Sequence, residues 1–335
     1  MTKVAIIGKQ QPIIIRKRIK EYLELNGLEA DILEMPTRNV LDWAEELKEY
    51  NAIISAGEKF HGEVFVKLKG NLKLISRYGV GTDEIDKASA SKNGVAVCNA
   101  AGSLSTAVAE CAMGIILCLI RNITIADKEV RNNDWSRFFE SKTGTQLEGK
   151  TVGIIGFGDI SKALAKMLSG FDCKVLAYDL KWDENTAKTL NVEYADIDTI
   201  RKNADIISLH VPSTPETDGM INKEFLSGMK KNAILVNTAR GRLVVAEDLA
   251  EALNNGIIAG AGMDVFSPEP PNPDNPLLTA KNTVLLPHSG ACTIESHEKA
   301  GMMAAKNVAD FFAGREVKTI LNPGYKNYIH KEEKQ

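Results

Sequence analysis

Residues 151–161 read TVGIIGFGDIS, an apolar run that passes into Gly156-x-Gly158-x-x-Ser161 and then into the helix-forming stretch KALAKML. A strand, a glycine-rich turn and a helix in this order are typical of the first unit of a Rossmann sheet. Gly156 permits the tight turn, and Gly158 lets the backbone approach a pyrophosphate at the helix N-terminus. Ser161 stands where Gly or Ala is usual, and it is small enough to pack there.

The residues around this motif favour NAD as the dinucleotide. Asp179 ends the next apolar run, 21 residues after Gly158. A carboxylate there accepts hydrogen bonds from ribose hydroxyls and repels a 2′-phosphate, which favours NAD over NADP. Asp159 and Ile160 open the predicted helix, although the charge of Asp159 is unusual beside a diphosphate. The alternative interpretation makes Asp179 an ordinary strand-end cap.

Short apolar runs separated by helical stretches occur on both sides of this motif, as in parallel sheets with crossover helices. Five precede it, at 4–8, 30–33, 52–55, 72–76 and 95–98. Six belong with it, at 151–155, 174–178, 205–209, 233–237, 260–265 and 283–286. The fold class is therefore α/β, with two doubly wound parallel-sheet lobes, a flavodoxin-like first lobe and a Rossmann second lobe.

Two long helices suggest how the lobes are connected. One is predicted over 103–120, capped by Ser103 or Ser105, and the other over 294–312. If the second helix returns the chain to the first lobe, residues 1–102 and 292–335 form one domain. Residues 103–291 then form an inserted Rossmann domain.

Composition restricts the possible partners and compartment. The 335 residues are 44% hydrophobic and 25% charged, with a net charge of −3, so neither nucleic acid nor an anionic membrane is an expected partner. The start MTKVAIIGKQQ is interrupted by lysines, so a signal peptide is not expected, and the apolar run 112–120 is too short to span a membrane. Five cysteines without a CxxC pair indicate reduced thiols and a cytoplasmic location. Packing on one apolar helix explains Cys111 and Cys118 best, and a reactive thiol is the less favoured interpretation of Cys292, four residues after His288.

Three residues with catalytic chemistry lie in loops after predicted strands. They are Arg240 in VNTARGR, Glu269 in DVFSPEPP and His288 in LLPHSG. An imidazole oriented by a carboxylate can move a proton near neutral pH, and a guanidinium grips a carboxylate. Taken singly, each has a simpler explanation: a solvated cation, a loop charge and a structural histidine.

Seven segments in the same order resemble the D-isomer-specific 2-hydroxyacid dehydrogenases, particularly the phosphoglycerate-dehydrogenase-like branch. They are SRYGVGTDEID, NAAGSLSTAVAE, GKTVGIIGFGDI, HVPSTPET, VNTARGRLV, GMDVFSPEPP and LLPHSGA. The resemblance implies NAD as cofactor, a small 2-hydroxy or 2-keto acid as substrate, and an active site between two lobes. It also implies a homodimer formed through the helix that begins near Ser103. No metal is expected.

The same resemblance assigns roles to individual residues. It implies that Arg240 contacts the substrate carboxylate and carbonyl, that His288 is the acid/base and that Glu269 is its partner. The backbone amides of Val80 and Gly81 would receive the carboxylate. The positions that match cofactor contacts are Ser105, Gly156, Gly158, Asp159, Ile160, Asp179, His210, Pro212, Thr217, Thr238, Asp264 and Gly290.

The loop after the third predicted strand does not decide which 2-hydroxy or 2-keto acid is the substrate. Phosphoglycerate dehydrogenases commonly carry an arginine there, whereas this chain has SAGE at residues 55–58, with Arg77 as another candidate anion contact. Phosphoglycerate, hydroxypyruvate or glyoxylate, and a bulkier 2-keto acid are the enzyme alternatives. An NAD(H)-sensing protein of the corepressor type is the alternative from another class. His61, His297 and His330 are interpreted as surface or packing residues.

Overall fold

The computed structural model describes residues 1–8, 11–35, 37–135 and 143–329. The chain forms two compact units, one made of Met1–Leu104 with Cys292–Gln335 and the other of Ser105–Ala291. His330, interpreted above as a surface or packing residue, lies outside the described residues.

The strands are β1 Lys3–Ile6, β2 Glu29–Ile32, β3 Ala52–Ser55, β4 Leu74–Arg77, β5 Ala96–Cys98, β6 Thr151–Ile155, β7 Lys174–Tyr178, β8 Val192–Tyr194, β9 Ile206–Leu209, β10 Ile234–Asn237, β11 Gly260–Met263 and β12 Thr283–Leu285. The helices are α1 Ile13–Leu25, α2 Ala44–Leu47, α3 Gly62–Lys67, α4 Lys87–Lys92, α5 Ser105–Ile120, α6 Ile123–Arg131, α7 Asp159–Leu168, α8 Glu184–Thr189, α9 Ile197–Asn203, α10 Lys223–Ser227, α11 Ala246–Asn254, α12 Ile294–Phe312 and α13 Lys326–Ile329.

The first unit has a parallel sheet in the order β2-β1-β3-β4-β5, which is the flavodoxin-like order. One face is covered by α1 and α12, and a β-carbon at Gly301 of α12 would lie 2.7 Å from Ile15 of α1. The other face buries Trp43 and Phe65. Both faces of the sheet are therefore apolar, which explains why its strands lack an alternating pattern.

The second unit has a parallel sheet in the order β8-β7-β6-β9-β10-β11-β12, the Rossmann order with one further strand at the end. Helices α5 and α7 cover one face, and α9, α10 and α11 cover the other. A β-carbon at Gly262 would lie 2.0 Å from Ile115, so α5 packs directly onto β11.

The expectation of six strands in this sheet was wrong, because the described residues contain seven. The additional strand is β8, which pairs with β7 at the sheet edge. Its sequence is Val-Glu-Tyr, and only Val192 is buried. A three-residue edge strand with two exposed side chains has no apolar run, so hydrophobic periodicity does not reveal it.

The long helices differ from the predicted bounds in one place. Helix α12 begins and ends as expected, and Thr293 caps it by accepting a hydrogen bond from the Ser296 amide. Helix α5 begins at Ser105, because Ser103 belongs to the preceding turn, where its hydroxyl donates to Ala100 O at 2.6 Å. Within the described ranges, no single helix is long and apolar enough to cross a membrane, although the pair α5 and α6, bent by 62°, passes that test when joined.

The outer edge of β5 is covered by residues from the C-terminal part of the chain. Leu321 N donates to Val97 O at 2.8 Å, and Asn322 Oδ1 accepts from Val97 N at 2.7 Å. Asn322 Nδ2 donates to Val95 O and to Ser91 Oγ. One buried amide side chain therefore satisfies an edge strand that would otherwise expose unpaired backbone groups.

We expect Asn322→Ala to lower the free energy of unfolding by about 2–3 kcal/mol, because it leaves buried backbone groups of β5 unpaired. Urea denaturation of both proteins measures the difference. Asn203→Ala is the matched control, since Asn203 is exposed and bonds only within its own helix. Equal effects of the two substitutions would contradict the role given to Asn322.

Candidate active site

The predicted cofactor and catalytic residues of the second unit follow the carboxyl ends of strands in one sheet. Strand β6 leads to Gly156, β7 to Asp179 and β9 to His210, whereas β10 leads to Thr238 and β11 to Asp264. Since the strands are parallel, their carboxyl ends lie along the same edge, where ligands of open α/β sheets bind.

The glycine-rich turn has the conformation that a close backbone approach requires. Gly156 has φ +98°, and a β-carbon there would lie 2.6 Å from His210 O, so only glycine fits. Gly158 precedes α7, and a β-carbon there would meet nothing within 4 Å. Ser161 is fully buried and donates to Gly158 O at 2.9 Å, so it fills the third position of the motif.

Asp159 and Ile160 form the start of α7, where the first backbone N–H groups of a helix have no partner within the helix. Asp159 is exposed, and Ile160 packs against the core of this face. The positive end of the helix dipole and the open space at Gly158 suit an anion.

Asp179 bonds to the glycine-rich turn. Its Oδ2 accepts from Phe157 N at 2.6 Å, and its Oδ1 accepts from Lys181 N at 2.7 Å. A carboxylate has about four acceptor sites, so two remain for hydroxyl groups of a ligand. Asp179 thus does more than cap its own strand.

His210 follows β9, where its backbone N–H donates to Ile155 O of the neighbouring strand β6 at 2.7 Å, and its imidazole is neutral. Its Nε2 lies 2.8 Å from Ser208 Oγ, and burial lowers the pKa of His210 to about 4. The loop that follows is tied together by Thr217, whose Oγ1 donates to Pro212 O at 2.7 Å.

Thr238 carries a polar atom without a partner. It is 8% exposed, and its hydroxyl has no hydrogen bond in the part of the chain that the structure describes. Buried polar groups are almost always satisfied, so this hydroxyl fits a bound polar ligand at the sheet edge.

The turn that carries Arg240 is organised by Asn237, the last residue of β10. Asn237 Nδ2 donates to Arg240 O at 2.8 Å, and its Oδ1 accepts from Ala239 N at 3.0 Å. A β-carbon at Gly241 would lie 2.1 Å from the Phe266 backbone, so the turn packs closely on the next loop. The guanidinium of Arg240 donates to Ala239 O and lies near enough to lower the pKa of Glu269.

Glu269 and His288 form a hydrogen-bonded pair, with 2.7 Å between Glu269 Oε2 and His288 Nδ1. Burial raises the pKa of Glu269, but the hydrogen bonds from His288 and the Phe266 amide outweigh this, and the net pKa lies below its usual range. Glu269 is therefore a carboxylate at neutral pH, so Nδ1 carries a hydrogen and donates it. The other ring nitrogen, Nε2, is left to exchange a proton with a ligand.

The turn at His288 is held by Asp264. The carboxylate, 1% exposed, accepts from Ser289 N at 2.7 Å and from Gly290 N at 2.8 Å, and Asp264 O accepts from His288 N. Burial raises the pKa of Asp264, and the two amide bonds oppose that effect only in part. His288 has φ +57°, a conformation that costs a non-glycine residue about 1–3 kcal/mol.

The first turn of α5 lies beside Gly290. A β-carbon at Gly290 would lie 3.7 Å from Val108, which belongs to the turn that begins at Ser105. The structure therefore brings Ser105, Asp264, His288 and Gly290 into one neighbourhood.

The three predicted substrate-binding residues belong to the first unit: Arg77 is the last residue of β4, and Val80 and Gly81 lie in the loop after it. Arg77 donates to backbone carbonyls of Ser55, Tyr78 and Gly81 at 3.0–3.3 Å, so its guanidinium shapes this loop. Asn99 Nδ2 donates to Val80 O at 2.8 Å. Among described residues, neither the Val80 nor the Gly81 amide has an acceptor, which leaves two N–H groups for an anion.

Sequence reasoning missed two residues that shape these loops, Asn99 and Asn237. Both are buried, and both stand at or just after the end of a strand. A buried amide at a strand end, followed by a charged or glycine-rich turn, is the signal that would have revealed them. No cluster of three or more His, Cys, Asp and Glu side chains that could hold a metal ion occurs in the described ranges.

Comparison with known proteins gives a family match over much of this unit. The family model "D-isomer specific 2-hydroxyacid dehydrogenase, NAD binding domain" matches residues 113–290. That range contains the glycine-rich turn, Asp179, Arg240, Glu269 and His288.

Individual relatives agree with this match. A glyoxylate reductase of Thermofilum pendens is 44% identical over 256 residues, which is 75% of each chain. A D-3-phosphoglycerate dehydrogenase of Archaeoglobus fulgidus is 38% identical over 90% of this chain, which spans 56% of that relative's length. The structure of an NAD-dependent formate dehydrogenase from Staphylococcus aureus, in complex with NAD, has a TM-score of 0.82 at 30% identity over 96% of this chain and 99% of that one.

We expect His210 to make the protein less stable as the pH falls from about 6.5 toward 4. The pKa of His210 lies near 4 when folded and near 6.5 when unfolded, so the unfolded chain binds the proton first. The loss reaches at most about 3 kcal/mol. Urea midpoints at pH 7 and pH 5 measure it, and His210→Gln should show a smaller decline. An equal decline in both proteins would contradict the assignment.

We expect Gly290→Ala to lower the turnover of a 2-keto acid with NADH roughly a hundredfold. A β-carbon there would lie 2.8 Å from Asp264 Oδ2, which would break the bonds that hold the His288 turn. Steady-state kinetics at saturating substrate provide the measurement. Gly170→Ala is the control, because a β-carbon there meets nothing within 4 Å. Unchanged turnover in Gly290→Ala would show that the turn does not position His288.

Proposed function

We propose that this chain, which belongs to the D-isomer specific 2-hydroxyacid dehydrogenase family, acts on a small 2-keto acid without a phosphate group, of the glyoxylate or hydroxypyruvate type. As a member of that family it is an NAD-dependent oxidoreductase that interconverts 2-hydroxy acids and 2-keto acids.

The observation that carries this choice of substrate is the position of Glu58. Glu58 follows β3 and is 7% exposed. Its Oε2 accepts from Ala56 N at 2.7 Å and from Gly57 N at 3.1 Å. These two amides, at the carboxyl end of a strand, would otherwise suit a substrate phosphate. A carboxylate of the protein occupies them instead, and its charge would repel a second anion.

Arg77 does not offset this charge in a way that favours phosphate, since several of its N–H groups are directed to backbone carbonyls. The amides of Val80 and Gly81 are the donors that we assign to the substrate carboxylate. Every 2-keto acid carries that carboxylate, so these two residues recognise the class of substrate. Glu58 would then select within the class by excluding a phosphorylated member.

We assign the proton transfer to His288. When a ketone is reduced, negative charge develops on its oxygen, and a proton must reach that oxygen. His288 Nε2 is the donor, because Nδ1 is committed to Glu269. Glu269 keeps the ring oriented and stabilises the imidazolium before the proton leaves. In the reverse direction the same nitrogen accepts the hydroxyl proton.

Arg240 is the residue that we assign to the carboxylate and carbonyl of the substrate. Its charge is permanent, and its planar fork matches a carboxylate in two-point contact. Asn237 and Gly241 fix the turn from which the side chain extends. Orientation by Arg240 would place the carbonyl oxygen where His288 can protonate it.

The residues of the second unit fit NAD. The start of α7 suits the diphosphate, Asp179 has acceptor sites for ribose hydroxyls, and the unpartnered hydroxyl of Thr238 suits a polar group of the cofactor. When bound, the nicotinamide supplies or takes up the hydride. Ser105, His210, Pro212, Thr217, Asp264 and Gly290 shape the same sheet edge and are proposed as cofactor contacts.

We also propose a homodimer and a cytoplasmic location. Exposed apolar side chains follow α5, namely Ile123, Val130 and Trp135, which are 48–71% exposed and would be covered by a second copy. All five cysteines are free thiols, which supports a reducing compartment.

The experiment that tests the proposed substrate compares hydroxypyruvate with phosphohydroxypyruvate, which differ only in the phosphate group. NADH oxidation gives kcat/KM for each, with glyoxylate, pyruvate and NADPH in parallel. We expect the unphosphorylated acids to be preferred. We expect Glu58→Gln to raise kcat/KM for phosphohydroxypyruvate about tenfold relative to hydroxypyruvate, because it removes a like charge.

Glu63→Gln is the matched control, since Glu63 is an exposed carboxylate on α3 and should leave the ratio unchanged. A preference of the unaltered protein for phosphohydroxypyruvate would refute the proposed substrate. Equal ratios in Glu58→Gln and the parent would show that Glu58 does not select against phosphate.

A further inference from the structure

A second cluster of reactive side chains lies in the first unit and consists of Tyr78, Cys292 and His297. The Tyr78 hydroxyl lies 2.8 Å from His297 Nδ1 and 2.9 Å from His297 O. His297 Nε2 lies 3.6 Å from Cys292 Sγ, within the range for a sulfur hydrogen bond. The two rings stack with an interplanar angle of 24°. A thiol, an imidazole and a phenol therefore form one chain of contacts.

The directions of these hydrogen bonds follow from the number of hydrogens available. The phenol has one hydrogen, and His297 O can only accept, so the phenol donates to that carbonyl. Burial raises the pKa of Tyr78, with a smaller effect from Cys292, so the phenol stays protonated. The 2.8 Å contact with Nδ1 then requires that Nδ1 carries a hydrogen and donates to the phenol oxygen.

The second ring nitrogen is consequently an acceptor that faces the thiol. Burial lowers the pKa of His297, so the imidazole is neutral at neutral pH and Nε2 keeps its lone pair. The Cys292 thiol is the donor to that lone pair. A nucleophile beside a base that a third group orients is the arrangement by which proteins activate nucleophilic side chains.

Cys292 is also the cysteine that a reagent can reach most easily. It is exposed, whereas Cys98 is buried and the other three thiols are only partly accessible. Burial raises the pKa of Cys98 and of Cys111 to about 11, and it raises the pKa of Cys173 as well. Those three thiols are poor nucleophiles at neutral pH, because the thiolate is the reactive form.

We propose that Cys292 is a modification site at which a low-molecular-weight disulfide forms a reversible mixed disulfide, with His297 as the base and Tyr78 as the group that orients it. This inference does not depend on the proposed substrate. It assigns a role to His297, interpreted above as a surface or packing residue.

The step balances without any further oxidant. The Cys292 thiol gives its proton to His297 Nε2, and its sulfur attacks one sulfur of the incoming disulfide. The disulfide S–S bond breaks, and a new S–S bond forms between Cys292 and half of the reagent. The other half leaves as a thiolate and takes up the proton from His297. The small disulfide is thus the oxidant, and a free thiol is the second product.

The test measures the reaction rate of each thiol in the folded protein at pH 7. Dithionitrobenzoate gives the kinetics, and oxidised glutathione followed by peptide mass spectrometry identifies the modified residue. We expect Cys292 to react before Cys118, which serves as the internal reference, and Cys292→Ser to lose the fast phase. Dithiothreitol should remove the adduct.

Two variants test the roles of the neighbouring side chains. His297→Gln keeps a polar side chain but cannot take the proton, so it should slow the reaction of Cys292 about tenfold. Tyr78→Phe removes the orienting hydroxyl and should slow it about threefold. Thermal unfolding of each variant confirms that it is folded. The proposal is overturned if Cys292 reacts no faster than Cys118 in the unaltered protein, or if His297→Gln reacts at the parent rate.

Discussion

All strands of both sheets run parallel, and this constraint decides where chemistry can occur. Each strand must be followed by a crossover, so every loop after a strand reaches the same edge of its sheet. In the second sheet, the loops after β6, β7, β9, β10, β11 and β12 supply the glycine-rich turn and the residues from Asp179 to His288. Residues more than 130 positions apart in sequence, such as Gly156 and His288, therefore lie along one edge of the sheet.

Within that edge, the arrangement depends on a carboxylate that never has to touch the substrate. Asp264 is buried, and burial is unfavourable for its charge, yet its two oxygens bind the amides of Ser289 and Gly290. These bonds hold His288 in a left-handed backbone conformation that an L-residue rarely adopts. The buried charge of Asp264 and the strained backbone of His288 both cost free energy. What they provide is a fixed position for the imidazole.

The sequence was sufficient for the order of elements, because buried parallel strands are recognisable as short apolar runs. It was sufficient to predict that Asp179 lies beside the glycine-rich turn at Gly156, because a dinucleotide motif has fixed spacing. It was not sufficient for β8, whose three residues expose two side chains, or for the start of α5, where Ser103 closes a turn instead of a helix. It also could not connect Tyr78 with His297, since 219 positions separate them and only the packing of α12 against the first sheet brings them together. The hydrogen bonds of Glu58 to the amides of Ala56 and Gly57 depend on which way its side chain points, and no sequence pattern encodes that.

The return of the chain to the first unit has a consequence for biosynthesis. Helix α12 covers one face of the first sheet, and Leu321 and Asn322 cover its edge at β5. During synthesis the apolar face of β1–β5 therefore stays open until α12 begins at Ile294, nearly 200 residues after β5 ends at Cys98. The edge of β5 stays open longer, until Leu321 and Asn322 have been made. The inserted unit, Ser105–Ala291, emerges as one continuous stretch and can close its own core earlier. In that interval the first sheet exposes an apolar face and an unpaired strand edge, which are the features that favour aggregation of incompletely folded chains.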